Sequence, residues 1–265
     1  MTFFEKLEDL KTRKNSFLCV GIDPDYERIP AEIRRQDKFL YTFCHSIIKA
    51  TAPYCIAFKF NFAFFEAFGA AGWETLTRLR RSVPADCLTV ADAKRGDIGN
   101  SARHYARAIL EHLNFDAVTV SPYLGFDASE PFLSYPQKGL FVLCLTSNPG
   151  AREIQDYPGG DQPLFLHIAR RVQDVNVHKN CGLVAGATKP DQLRVLCETV
   201  PDLPLLMPGV GAQGGSLNAA MQAVPHRNIL VPISRSIIYA SDGTDFAEAA
   251  ARAAETVRDQ MQAYL

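Results

Sequence analysis

Four charged residues fall at the ends of three successive apolar runs. Asp23 closes Phe17–Asp23, Lys59 lies near the end of Cys55–Asn61, and Asp92 and Lys94 close Cys87–Lys94. Short, nearly continuous apolar runs read as buried strands, so charges that finish them stand at the rim of the sheet. Asp92 and Lys94 are two residues apart, and an extended chain turns both toward one face. Lys59 follows Ala57–Phe58, a poor setting for an ammonium without a carboxylate nearby. Asp23, Lys59, Asp92 and Lys94 can neutralise one another as an alternating Asp–Lys–Asp–Lys chain. As a structural network, such a chain costs desolvation that ion pairing rarely offsets. As chemistry, it presents a fixed ammonium to a developing negative charge and can then deliver a proton.

A second group of residues suits an anion. Pro208–Gly209–Val210–Gly211–Ala212–Gln213–Gly214–Gly215 follows another apolar run, and glycines let backbone N–H groups approach an anion closely. Ser234–Arg235 ends the next run, and the planar guanidinium of Arg235 suits a bidentate phosphate contact. Thr146–Ser147–Asn148–Pro149–Gly150 opens a long connection that holds Gly159–Gly160 and further prolines, the composition expected of a lid. His104, Tyr105 and Trp73 lie in helical patterns and read as packing or surface residues. The seven cysteines form no C-x-x-C and the six histidines show no metal-ligand spacing. We therefore expect buried reduced thiols and no protein-held metal.

These residues must be positioned by an alternation that runs the length of the chain. The apolar runs are Phe17–Asp23, Cys55–Asn61, Cys87–Lys94, Ala117–Ser121, Gly139–Thr146, Cys181–Ala187, Leu203–Gly209 and Asn228–Ser234. Helical patterns separate them at Lys38–Thr51, Phe64–Arg81, Ile98–Leu113, Pro163–Val177, Asp191–Val200 and Leu217–Val224, and Asp245–Tyr264 closes the chain. Apolar strands alternating with helices predict a parallel sheet covered on its faces, and eight of them predict closure into a (β/α)8 TIM barrel. No G-x-G-x-x-G follows the first strand, which weakens an open dinucleotide-binding sheet. Barrel active sites sit at the C-terminal ends of the strands, with phosphate held after strands 7 and 8. Both candidate groups fall there.

At 265 residues, residues 1–265 are expected to form a single barrel domain with a short N-terminal helix, on which Phe3, Phe4, Leu7 and Leu10 repeat at helical spacing. Apolar residues at 47% and charged residues at 22% exclude disorder. A net charge of −1 argues against a general nucleic-acid or membrane-surface binder. Glu5, Glu8 and Asp9 near the start do not fit a signal or transit peptide, so the expected location is cytoplasmic.

Asp92–Ala93–Lys94–Arg95–Gly96–Asp97–Ile98–Gly99 resembles the D-x-K-x-x-D-I signature of the orotidine 5′-phosphate decarboxylase family. Val20–Gly21–Ile22–Asp23, Lys59–Phe60–Asn61, Thr146–Ser147–Asn148–Pro149–Gly150, the Pro208–Gly215 loop and Ser234–Arg235–Ser236 follow in that family's order. The pattern is similar to the family's longer bacterial branch, with Ser101 where some relatives carry threonine. The resemblance implies decarboxylation of orotidine 5′-monophosphate to uridine 5′-monophosphate by a homodimer that uses neither metal nor organic cofactor. It implies that Asp92 faces the substrate carboxylate and Lys94 protonates C6 of the pyrimidine. Asp23 and Lys59 would hold that pair, with Lys59 also near the ribose. Asp97, Ile98 and Ser101 would enter the partner subunit's site. Ser147 would meet the pyrimidine, and Gln213 and Arg235 the phosphate, with Asn61, Thr146, Pro208, Gly214 and Ser234 completing the binding surface. The alternative from the same superfamily is a metal-dependent sugar-phosphate decarboxylase or synthase.

Overall fold

The computed structural model describes residues 1–158, 160–211, 215–224 and 229–265. Its strands are β1 (Leu18–Ile22), β2 (Ala57–Asn61), β3 (Leu88–Arg95), β4 (Ala117–Val120), β5 (Gly139–Leu145), β6 (Cys181–Ala185), β7 (Leu205–Leu206) and β8 (Ile229–Ile233). Each pairs in parallel with the next, and β8 returns to β1, so the sheet closes into a barrel. Helices lie between the strands, which makes the architecture a (β/α)8 barrel. Along β2 the side chains alternate between two environments. Phe58 and Phe60 are buried, Phe60 packing against Phe65 and Phe115, while Lys59 meets the charged ends of β1 and β3.

Two helical patterns divide in the structure. Phe64–Arg81 becomes Phe62–Glu66 and Gly69–Ser82, because Gly69 takes a left-handed φ of 59° that only glycine adopts readily. Ile98–Leu113 begins one residue later, with Ile98 extended as the N-cap of Gly99–Ala106, and finishes as a π-helical turn at Arg107–His112. The run Leu203–Gly209 keeps only Leu205 and Leu206 as strand, since Pro204 and Pro208 flank it and proline cannot donate to a ladder.

The N-terminal helix α1 (Phe3–Lys14) closes the bottom of the barrel. Thr2 and Glu5 form a reciprocal capping box at its start, and Lys11, Arg13 and Lys14 favour the negative end of its dipole. Phe3 and Phe4 pack edge-on against Phe141 of β5, and Phe3 lies so close to Gly139 that a Cβ there would come within 2.6 Å of its ring. At its other end Lys14 reaches the carbonyls of Ala52 and Cys55, just before β2. The helix thus crosses the barrel's N-terminal end from β5 to β2. Burial of Phe3, Phe4, Leu7 and Leu10 contributes roughly 1.5–3 kcal/mol per side chain.

Candidate active site

At the opposite end, the register sets the charged residues beside one another: Gly21 pairs with Lys59, and Asn61 with Asp92. Lys59 Nζ donates to Asp92 Oδ2 at 2.8 Å and lies 3.9 Å from Asp23 Oδ1. Lys94 Nζ donates to Asp92 Oδ1 at 2.6 Å. Asp23, Lys59, Asp92 and Lys94 thus lie within ion-pairing distance of one another in that order. Burial alone would favour a neutral Asp92, but the ammonium groups of Lys59 and Lys94 outweigh it and hold the carboxyl well below the usual range. Lys59 is the complement: burial favours its neutral amine, and the charges of Asp92 and Asp23 override that and raise it. The Lys59 side chain is 9% exposed and that of Lys94 is 50% exposed, so Lys94 presents its ammonium to the open cavity.

Lys94 reaches Asp92 by an irregular route rather than by simple strand alternation. Pairing of β3 with β4 shifts between Ala91 and Arg95, and Lys94 takes a left-handed φ of 46°. Non-glycine residues rarely adopt that conformation, and where they do the surroundings must hold them. Here Thr119 of β4 supplies the hold. Its hydroxyl accepts from Lys94 N–H at 2.9 Å and donates to Asp92 Oδ1 at 3.1 Å. Thr119 is fully buried and was not among the residues picked out from sequence. Its signal was a single hydroxyl inside the otherwise apolar Ala117–Val120, which reads equally as ordinary β-propensity.

A cavity of about 1000 Å³ opens above this array. Asp23, Lys59, Asn61, Asp92 and Lys94 line one side. Thr146, Ser147, Pro208, Ser234 and Arg235 line it as well, so one space joins the charged array to the residues expected to bind substrate. Asp23 Oδ1 and Ser234 Oγ are buried without a hydrogen-bond partner, leaving two polar groups for a ligand to satisfy. The first part of the connection after β5, through Gln155, also lines the cavity. Gln155, from the short helix Ala151–Gln155, accepts from Thr146 N–H at 2.8 Å and donates to Thr146 Oγ1 at 2.7 Å. Gln155, His167 and Tyr123 join the lining without having been anticipated. After β7, Gly209 and Gly211 adopt φ of 100° and 76°, and Gly215 N–H donates to Gly209 O at 3.0 Å. Gln213 and Gly214 lie outside the described residues.

Three expected residues are not part of this cavity's wall. Asp97 Oδ1 accepts from Ile98 N–H at 2.8 Å, Ile98 is 60% exposed, and Ser101 is exposed on the following helix. All seven cysteines are buried and free. Among the described residues, no three His, Cys, Asp or Glu side chains converge as metal ligands, and no helix is long and apolar enough to cross a membrane.

Comparison with known proteins gives a consistent result. The profile of the Orotidine 5'-phosphate decarboxylase / HUMPS family matches residues 16–251. An orotidine 5'-phosphate decarboxylase of Dehalococcoides mccartyi (strain CBDB1) is 45% identical over 271 residues, covering 100% of this chain and 98% of the relative. One from Roseiflexus sp. (strain RS-1) is 47% identical over 270 residues, covering 100% and 99%. Among solved structures, Leishmania donovani OMP decarboxylase superposes with a TM-score of 0.83 at 38% identity, covering 98% of this chain and 99% of that one.

Proposed function

The chain belongs to the orotidine 5′-phosphate decarboxylase / HUMPS family, and from that premise we propose that it converts orotidine 5′-monophosphate to uridine 5′-monophosphate in pyrimidine biosynthesis, in the cytoplasm and without a cofactor. The observation that carries this reading is the hydrogen-bonded Lys59–Asp92–Lys94 array beside Asp23 at the cavity floor. When the carboxylate leaves as carbon dioxide, the bonding electron pair remains on C6 of the pyrimidine. The Lys94 ammonium stabilises that carbanion and transfers a proton to it, and the resulting amine regains a proton from solvent. Asp92, kept ionised by its two lysines, stands where it meets the departing carboxylate. Two negative charges held together raise the energy of the bound substrate relative to the transition state.

The remaining residues bind. Asp23, with an open acceptor, takes a ribose hydroxyl, and Lys59 lies beside it. Asn61, Thr146, Ser147 and Pro208 surround the base and sugar. Ser234 and Arg235 hold the phosphate, with Gln213 and Gly214 completing that seat. Phosphate binding energy drives closure of the 146–163 connection over the substrate. Asp97, Ile98 and Ser101, which do not line the cavity of their own chain, complete the site of the second subunit in a homodimer.

The test is carbon dioxide release from orotidine 5′-monophosphate in the presence of a chelator. Turnover is expected to be unaffected by the chelator, and Lys94→Ala to abolish it while uridine 5′-monophosphate still binds. Near-normal turnover in Lys94→Ala would remove Lys94 from the chemistry. Loss of activity on chelation would instead favour the metal-dependent sugar-phosphate class.

A further inference from the structure

At the end of the barrel far from the cavity, two sulfurs and an ammonium meet where β2 and β3 begin. Lys14 Nζ, at the end of α1, lies 3.2 Å from Cys87 Sγ, 3.2 Å from the carbonyl oxygens of Ala52 and Cys55, and 2.9 Å from Asp86 Oδ2. Cys87 immediately precedes β3, and Cys55 stands two residues before the start of β2. The Ala57–Leu88 pairing continues backward through a 2.9 Å bond from Leu88 N–H to Ile56 O, which sets Cys87 beside Ile56, one residue along from Cys55. Cys87 Sγ is 3.7 Å from the Cys55 carbonyl, and each of the two thiols shifts the titration of the other. Strands about 4.8 Å apart, with that offset of one residue and a rise of about 3.3 Å, set the two Cα atoms roughly 5.8 Å apart, within the separation of about 4.4–6.8 Å that a disulfide spans.

The two sulfurs differ in the way a redox pair requires. Cys55 is fully buried, and burial, reinforced by neighbouring Cys87, pushes its thiol well up. Cys87 keeps 7% exposure. The neighbouring Cys55 lowers its thiol, burial opposes this, and the charge of Lys14 adds to the lowering. In Cys19, Cys44, Cys144 and Cys181, burial pushes the thiols up. Only a thiolate is strongly nucleophilic, so Cys87 is the attacking sulfur and Cys55 the resolving one.

We propose that Cys55 and Cys87 form a reversible disulfide at the base of the barrel, with hydrogen peroxide as the oxidant. The Cys87 thiolate attacks one peroxide oxygen, the O–O bond breaks, and hydroxide leaves to be protonated to water. Sulfur is oxidised to the sulfenic acid. The Cys55 sulfur, losing its proton, then attacks Cys87 Sγ, the S–O bond breaks and a second water departs. The sum is two thiols and one peroxide giving one disulfide and two waters. A small dithiol reverses it by exchange. Oxidation removes an anionic partner of Lys14, so its direct effect falls on the anchoring of α1 and not on Lys94.

Substoichiometric iodoacetamide on the folded, reduced, full-length protein, followed by peptide mapping, measures the first property. Cys87 is expected to alkylate at least about tenfold faster than any other cysteine, and Lys14→Met to slow it by about tenfold. Peroxide treatment of the wild type is expected to yield a Cys55–Cys87 linked peptide that dithiothreitol separates. In Cys55→Ser the reaction is expected to stop at a Cys87 sulfenic acid that dimedone traps. The wild-type maps decide the matter even if a variant misfolds. Alkylation of Cys87 no faster than the other thiols, a disulfide between any other pair, or over-oxidised Cys87 beside a free Cys55 would each overturn the proposal.

Discussion

Asp92 carries the most demanding position in the molecule, a carboxylate almost enclosed by protein that remains ionised. Its two oxygens receive three donors, Lys59 on Oδ2 and both Lys94 and Thr119 on Oδ1. Removing one partner of such a group leaves a buried charge uncompensated, which costs more than the pair contributes. Asp92 is depressed in the folded chain, so its contribution to stability is complete above the unfolded value of about 3.9 and is lost as pH falls through the lower folded value. The stability difference between wild type and Asp92→Asn should therefore be constant from about pH 5 to 8 and shrink below about pH 4. Denaturant melts across that range measure it, and a difference that grows on acidification would refute the assignment. Thr119 acts through its neighbours by fixing both the Lys94 backbone and the Asp92 carboxylate. Thr119→Val should lower kcat about tenfold with little change in KM, in keeping with a lost hydrogen bond to a charged group. Thr119→Ser should restore most of the rate. If serine fails as badly as valine, the methyl group's packing matters and the hydroxyl does not.

Strand ends do most of the positioning. β1 and the end of β8 approach so closely that a Cβ on Gly21 would lie 2.7 Å from Ser234 Cβ. Gly21 stands two residues before Asp23, and Ser234 immediately before Arg235, so this contact sets the spacing between the charged array and the expected phosphate seat. Gly21→Ala should destabilise the fold by roughly 1–3 kcal/mol, the usual cost of overpacking. A guanidinium titration should show a lower midpoint with an unchanged m-value, and an unchanged midpoint would mean that the strands separate freely. The irregular end of β3 serves a related purpose. By slipping register against β4 it turns Lys94 back over Asp92 and lets Gly96 pass against Ser121, ahead of the helix that starts at Gly99.

For the whole molecule, three exposed apolar side chains lie on the loops at the cavity end. Ile98 follows β3, and Tyr123 and Leu124 follow β4, with Tyr123 82% exposed. A second copy covering them would bring Asp97 and Ile98 toward the neighbouring cavity. Because a C2 interface is reciprocal, each subunit would donate to and receive from the other. Lys94→Ala and Asp97→Ala proteins, each expected to be nearly inactive, can be mixed equally and allowed to exchange subunits. In a mixed dimer one site carries both defects and the other carries neither. Random pairing makes about half the dimers mixed, so about a quarter of all sites should regain activity. Exchange seen by native mass spectrometry without recovered activity would place Asp97 in its own chain's site.

The amino-acid sequence by itself determined the barrel and the identity of the charged array. Both are written in local signals: apolar runs of strand length, helical spacing between them, and charges at the run ends. The motif from Asp92 to Gly99 needs no long-range information to read. Its neighbours are another matter. That Thr119 touches both Asp92 and Lys94, that Cys55 meets Cys87, and that Lys14 spans to both depends on strand register and on closure of the ring. A buried threonine or cysteine in an apolar run looks the same whether it fills space or holds a reactive group. The short β7 and the split at Gly69 were hidden for a similar reason, since run composition does not report how far a strand pairs or where one φ turns positive. Tertiary structure decides these because hydrogen-bond partners are chosen by proximity in space, and in a closed barrel residues far apart along the chain share a hydrogen bond.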